Sequence, residues 1–397
     1  MVKVLEVNVD DNGYGGVYAF VLNLIENINR EFQVDICSFE RFESKDNIGY
    51  IESFGGKVRY CGHYGGVIRK NINCLKNLYK LIKDQDYDVI HVHSDVAYKL
   101  FLYALMSKLG GAKKVLIHSH STGVDGKHRH IKKVLHSIAK NFLKYVADKF
   151  LACSDKAGRW MYTDDSNFTV VKNGIKVENF SYNKELRAGI RKELNLENNL
   201  VIGHIGRFCY QKNQLFLIDI FKQLKKQNPK SKLLFIGSYV GDSTDMDSVK
   251  AKVLELNLQD EVIFLGIRHD VPNLMQAMDC FLLPSRFEGL CIVGIEAQAS
   301  GLSCFFSDTI TRELEITDLC HFIGLDKAPE EWADIVLKNI TIERRDMSQE
   351  ISDAGYDIKT EVKKIEKIYM KGLEKAQCTP PPLRLMYLLT RELILAV

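Results

Sequence analysis

Short apolar runs of β type alternate along the chain with longer segments in which apolar residues recur every three or four positions. The first run is Val2-Lys3-Val4-Leu5-Glu6-Val7, and others fall at 33–39, 57–61, 88–93, 114–120, 149–154 and 168–172. Segments 16–30, 70–85, 95–109 and 128–147 have helical length between them. A second series opens at Leu200-Val201-Ile202-Gly203-His204-Ile205-Gly206 and continues through 232–237, 262–266, 280–284, 303–307 and 321–325. Such alternation predicts parallel sheets covered on both faces. The restart near residue 200 and the excess of strands count against a single (β/α) barrel. The expected fold class is α/β, with two doubly wound Rossmann-like domains facing a central cleft. Ligands bind such folds at the carboxyl ends of the strands.

The polar stretch 173–199 marks the join. The expected domains are 1–178 and 179–350, with a helix at 351–372 crossing back to the first. The tail 373–397 stands apart: Pro380-Pro381-Pro382 stops the helix, and the apolar segment that follows is too short to span a bilayer. No run elsewhere reaches ~18 uninterrupted apolar residues, and no secretory leader is visible at the N-terminus.

The 397 residues are 46% hydrophobic and 26% charged, which suits a folded globular chain and excludes disordered or collagen-like classes. Ten cysteines lie scattered without a C-x-x-C pair, several inside apolar runs. They read as buried thiols in a reducing cytoplasm rather than as disulfides or zinc ligands. The net charge of +3 argues against nucleic acid as a partner, but it is unevenly spread. Residues 1–178 hold 26 Lys+Arg against 20 Asp+Glu, and the remainder 28 against 31. The segment Lys127–Lys149 carries seven of the cations and one Asp, with Ile131, Val134, Leu135, Ile138, Phe142 and Tyr145 at helical spacing. That apolar face is expected to pack on the first domain, leaving a basic face either for solvent or for an anionic membrane surface.

Three segments could carry chemistry. Asn12-Gly13-Tyr14-Gly15-Gly16 follows the first strand and precedes a helix, so it suits either an anion at the helix N-terminus or a plain tight turn. It is neither G-x-G-x-x-G nor a P-loop. Gly206-Arg207-Phe208-Cys209-Tyr210-Gln211-Lys212-Asn213 follows the strand that opens the second series. Arg207 and Lys212 there suit a diphosphate, though two solvated cations would look the same. The most specific is Leu283-Pro284-Ser285-Arg286-Phe287-Glu288-Gly289-Leu290-Cys291-Ile292-Val293-Gly294-Ile295-Glu296-Ala297, a strand, loop and helix start. The amides of Gly289 and Leu290 lie near a helix N-terminus, and Glu288 and Glu296 can accept hydrogen bonds from sugar hydroxyls.

This Glu-x7-Glu segment, together with Gly206–Asn213, Phe264-Leu265-Gly266, Gln276-Ala277-Met278-Asp279 and Glu296–Leu302, closely resembles the retaining nucleotide-sugar glycosyltransferases of family 4. These have the GT-B fold, and the match is to their bacterial capsular and exopolysaccharide branch. It covers about residues 1–372 and is densest at 200–310. The resemblance implies that Arg207 and Lys212 hold the donor diphosphate and stabilise it as it leaves. It implies that Glu296 binds the ribose and that Glu288, with the amides of Gly289 and Leu290, holds the donor sugar and its phosphate. Gly15 and Gly16 would let backbone close on the diphosphate. His120, in Val115-Leu116-Ile117-His118-Ser119-His120, matches the family's histidine near the anomeric centre, with His118 close in register. Cys291 and Ser303 stand where this branch often has proline.

The resemblance implies transfer of a sugar from a nucleotide diphosphate donor, UDP-linked by expectation, to a glycan or lipid-linked saccharide acceptor. Catalysis would rest on neutralising the leaving group, with no metal or other cofactor and no enzymic nucleophile. A nucleotide-sugar epimerase of GT-B architecture and an inert nucleotide-sugar-binding protein are the alternatives. His91-Val92-His93 and His118-Ser119-His120 place imidazole pairs on strand faces, where metal ligation competes with a polar strand end. Asp245-Met246-Asp247 is expected to serve only a helix N-terminus. The expected location is cytoplasmic, peripheral on the inner face of the cell membrane.

Overall fold

The computed structural model describes residues 1–10, 16–42, 44–62, 67–124, 128–239, 243–268 and 270–373. Gly15, Lys127 and most of the tail, named above, lie outside these residues. The chain divides into two units, one formed by Met1–Asn173 with the chain from Ile358, the other by Gly174–Asp357.

The first unit has seven strands: β1 Val2–Val7, β2 Phe32–Ser38, β3 Val58–Tyr60, β4 Val89–Ser94, β5 Lys114–Ser119, β6 Lys149–Ala152 and β7 Thr169–Val170. All pair in parallel, in the order β3-β2-β1-β4-β5-β6-β7. The second has six: β8 Leu200–Ile205, β9 Ser231–Ile236, β10 Val262–Phe264, β11 Cys280–Leu283, β12 Ser303–Ser307 and β13 Cys320–Ile323. These too are parallel, ordered β10-β9-β8-β11-β12-β13. Both units thus repeat one doubly wound pattern. Strand order reverses beside β1 and β4 in the first and beside β8 and β11 in the second. At such switch points the loops leave on opposite sides and open a crevice.

Each sheet has its own core. In the first unit Phe20, Val21 and Leu24 of helix Gly16–Asn27, with Val362, Ile365 and Tyr369 of helix Ile358–Met370, cover Val34, Ile36, Val89 and Leu116. The returning helix is therefore part of the first core. In the second unit Leu217, Phe221 and Leu224 pack with Leu233, Phe235, Val253 and Trp332. Fully burying each such side chain contributes about 1.5–3 kcal/mol. No disulfide joins any of the described cysteines.

Helix Arg129–Lys140 corrects one expectation. Its inward residues are Leu135, His136 and Ala139, while Ile131, Val134 and Ile138 are 53%, 59% and 45% exposed. The cause is His136, whose Nδ1 accepts from the Ala97 amide at 3.0 Å and whose ring stacks on Trp160. That anchor turns the small Ala139 inward and leaves an apolar row outside.

Candidate functional site

In the second unit, the loops after β8 and β11 flank the switch point and are tied into one assembly. Asn213, held at φ 57°, donates from Nδ2 to the Pro284 carbonyl at 3.1 Å and accepts from Arg286 Nη2 at 2.8 Å. The Arg286 amide donates to the Gln211 carbonyl at 2.8 Å, and Gln211 Nε2 donates to the Phe287 carbonyl at 3.0 Å. The two segments picked from sequence are thus a single polar structure.

Glu288 is its centre. It is 7% exposed and accepts from Ser285 Oγ at 2.8 Å and Gln211 Nε2 at 2.9 Å. Lys212 Nζ lies 2.8 Å from Glu288 Oε1. Burial opposes the Lys212 charge, but the Glu288 carboxylate outweighs it and holds the ammonium above its usual range. Gly206 makes room for this lysine: a Cβ there would come within 2.9 Å of Lys212 Cε. Arg207 follows on the same loop, half-buried, its carbonyl accepting from Gln214 Nε2 at 2.7 Å. Gln211, Ser285 and Asn213 went unassigned in the sequence because isolated polar loop residues carry no periodicity.

Gly289, Leu290 and Cys291 lead into helix Ile292–Ala299. Its N-cap, Cys291, makes no side-chain capping hydrogen bond, and burial pushes the thiol up to about 12, so it brings no competing negative charge. Helix N-termini of this kind attract anions. Glu296, one turn on, is half-buried, and its backbone carbonyl accepts from the Ser300 amide at 3.0 Å. Burial raises its carboxyl to about 7. A carboxylate so placed gains from hydroxyl donors that restore what it lost on leaving water.

In the first unit, His93 on β4 and His120, just past β5, meet at the switch-point side of the sheet. His93 Nδ1 lies 2.9 Å from His120 Nε2, and His93 Nε2 lies 2.5 Å from Glu6 Oε2 on β1. Tyr369 donates to Glu6 Oε1 at 2.6 Å. His91, His93 and His118 bring ring nitrogens within 4.8 Å of one another, a span a transition-metal ion could bridge. Both His93 nitrogens are already in hydrogen bonds, so such an ion would have to break one of them. Gly16 begins helix Gly16–Asn27, whose Phe20 ring packs edge-on against this cluster. Asp245 and Asp247 sit in the first turn of helix Thr244–Glu255, where Asp247 accepts from Ser243 Oγ at 2.6 Å.

Two doubly wound units, the second with paired cation, carboxylate and helix-start loops at its switch point, define a GT-B architecture. The solved structure of Anabaena Alr3699/HepE, in complex with UDP and glucose, has the same fold: TM-score 0.74 and 19% identity, covering 94% of this chain and 100% of that one. Residues 14–179 match the model for Glycosyltransferase Family 4, and residues 187–357 that for Glycosyl transferases group 1. The chain belongs to the family 4 glycosyltransferases. It is 27% identical over 379 residues to the capsular polysaccharide biosynthesis glycosyltransferase CapH of Staphylococcus aureus, covering 93% of this chain and 99% of CapH. It is also 28% identical over 247 residues to the UDP-Gal:alpha-D-GlcNAc-diphosphoundecaprenol alpha-1,3-galactosyltransferase of Escherichia coli, covering 60% of this chain and 62% of that enzyme. No described helix is long and apolar enough to cross a membrane.

Proposed function

We propose that this glycosyltransferase moves a sugar, with retention, from a UDP-sugar to a lipid-linked glycan in the assembly of a bacterial capsular or extracellular polysaccharide. The observation that carries the donor half is the Lys212–Glu288 pair set beside the uncapped start of helix Ile292–Ala299. The names of the relatives support the polysaccharide class, and the diphosphoundecaprenol-linked substrate of the E. coli enzyme supports a lipid-linked acceptor.

In this reading Lys212 and Arg207 neutralise the charge that builds on the diphosphate as the glycosidic bond breaks. The amides of Gly289 and Leu290 hold the adjacent phosphate, and Glu288 holds both Lys212 and a sugar hydroxyl. Glu296 accepts from the ribose hydroxyls, and donor binding draws its carboxyl toward the ionised form. Gly15 and Gly16 admit backbone close to the diphosphate. His120 accepts a hydrogen bond from a substrate hydroxyl near the anomeric carbon. The developing oxocarbenium character is met by the departing diphosphate on the same face, so no enzymic nucleophile is required. No metal or other cofactor is invoked. A panel of nucleotide sugars, read by nucleotide diphosphate release with and without a crude lipid-linked acceptor, tests this. Release from one UDP-sugar, stimulated by the acceptor, is the expected result. Epimerised sugar formed without acceptor would contradict it.

The same reading places the enzyme in the cytoplasm, peripheral on the inner face of the membrane. Exposed Ile131, Val134 and Ile138 lie beside Lys132, Lys133 and Lys140 on one helix, an apolar row within a basic surface. Each lysine near an anionic surface contributes about 1 kcal/mol. The combined Lys132→Gln, Lys133→Gln and Lys140→Gln variant should bind vesicles rich in anionic lipid about 100-fold more weakly in co-sedimentation. Unchanged binding would remove the membrane from the account.

A further inference from the structure

The imidazoles of the first unit form an ordered line that starts at a buried carboxylate. Glu6 is fully buried on β1 and accepts from Tyr369 Oη–H at 2.6 Å and His93 Nε2–H at 2.5 Å. His91 Nδ1 lies 3.1 Å from it and is hydrogen-bonded to Tyr369 Oη at 2.8 Å. Burial opposes its charge, but His91 and His93 outweigh that and keep the carboxyl well below the ordinary range. An ionised Glu6 can only accept, so the proton on His93 must sit on Nε2. Burial, aided by His91, holds His93 down at about 4, so the ring is neutral and its Nδ1 is a bare acceptor. Across the 2.9 Å contact, His120 must then supply the hydrogen from Nε2. Its own Nδ1 is left as a lone pair, and that atom, like His91 Nε2 and both ring nitrogens of His118, is buried without a hydrogen-bond partner among the described residues. Buried polar atoms of this kind are rare and call for a ligand or another explanation.

We propose that Glu6 and His93 are positioning residues that fix the tautomer of His120, so that its Nδ1 faces a substrate hydroxyl as an acceptor. The proposal rests on the reading of His120 as a substrate-contacting residue given above. His91 and His118 face the line from β4 and β5, Tyr369 from the returning helix, and the Phe20 ring covers it edge-on, 5.5 Å from His120 and 5.9 Å from His93. Glu6 is the carboxylate in direct hydrogen-bond contact with this line among the described residues. Nothing in a strand sequence marks it, because Val2–Val7 reads as an ordinary buried strand with two charged residues, Lys3 and Glu6.

Replacing Glu6 by Gln tests the direction of the line. The Gln amide can donate where the carboxylate could not, which moves the His93 hydrogen to Nδ1 and, in turn, the His120 hydrogen to Nδ1. Long-range proton–nitrogen spectra of histidine-labelled protein read both tautomers directly. In the wild type His120 should be protonated on Nε2, and in Glu6→Gln on Nδ1. The kcat should fall about 100-fold or more, with the donor KM within about threefold, as for a general tautomer error. His93→Asn, which keeps an acceptor near the Nδ1 position, should retain more activity than His93→Phe, and this comparison stands if Glu6→Gln fails to fold. An unchanged His120 tautomer and unchanged kcat in Glu6→Gln, or equal activity in His93→Asn and His93→Phe, would overturn the relay even where His120→Ala is inactive. Full turnover in His120→Ala would overturn the reading on which it rests.

Discussion

Glu288→Ala should lower kcat by about a thousandfold, at the upper end of what removing one preorganised electrostatic group costs. The carboxylate does three things at once. It balances Lys212, it accepts from Gln211 and Ser285, and through Gln211 it joins the loop after β8 to the loop after β11. Removing it leaves the lysine charge nearly enclosed, with a side chain only 14% exposed, and without its partner at 2.8 Å. Breaking such a buried pair costs roughly 3 kcal/mol of stability, because the stranded charge is worse than no charge at all. Glu288→Gln keeps one acceptor but loses the charge, so it should fall between wild type and Ala. Lys212→Ala should lose a comparable factor in kcat, and the double variant should lose much less than the product of the two, since the residues act as a unit. Initial rates of nucleotide release, with circular dichroism to verify folding, measure all four. Independent, multiplying effects would show that the pair is not one device.

Asp279→Ala should have the largest effect on stability while leaving the chemistry intact in protein that remains folded. Asp279 is 5% exposed at the start of β11. It pairs with Arg187 and, at 3.1 Å, with Arg191, both on helix Lys184–Glu193, and it accepts from the Val201 amide at 2.7 Å. The carboxylate thus pins that helix and the start of β8 to the centre of the second sheet. Alanine would leave two largely buried guanidinium groups with only their backbone-carbonyl partners, Gln276 and Met278 for Arg187 and Ala277 and Asn199 for Arg191, and one amide without its carboxylate, at a cost of about 3–5 kcal/mol. For a unit of this size that lowers Tm by roughly 6–20 °C. Differential scanning fluorimetry checks the shift, and turnover well below the new Tm should stay within about threefold of wild type. A shift of under a degree would mean that the arginines are supported by their carbonyl partners alone.

The contrast between these acids shows what the sequence could disclose. Both stand close to a β11 boundary, and Asp279, like Glu288, falls within a segment that resembles the family. Pattern and spacing marked the strands and the loops that follow them, because alternation of buried runs with helices is dictated by covering a parallel sheet. They could not say which polar residue meets which. Lys212 and Glu288 lie far apart along the chain and were assigned separate duties, yet they share one hydrogen-bonded centre. Glu6 and Tyr369 are joined by a hydrogen bond across nearly the whole chain, a pairing that no local window contains. The outward apolar row at Ile131, Val134 and Ile138 departs from its expected inward packing for a related reason. Helical period identifies a face, but the polar anchor His136 decides which face turns inward.

Hydrogen exchange of the wild-type protein with and without UDP tests the central claim most directly. The account predicts that UDP slows exchange in residues 206–213 and 284–299, the two loops and the helix start that share Lys212, Glu288 and Glu296. Saturating UDP that leaves both segments unprotected, or protects only segments elsewhere, would contradict it.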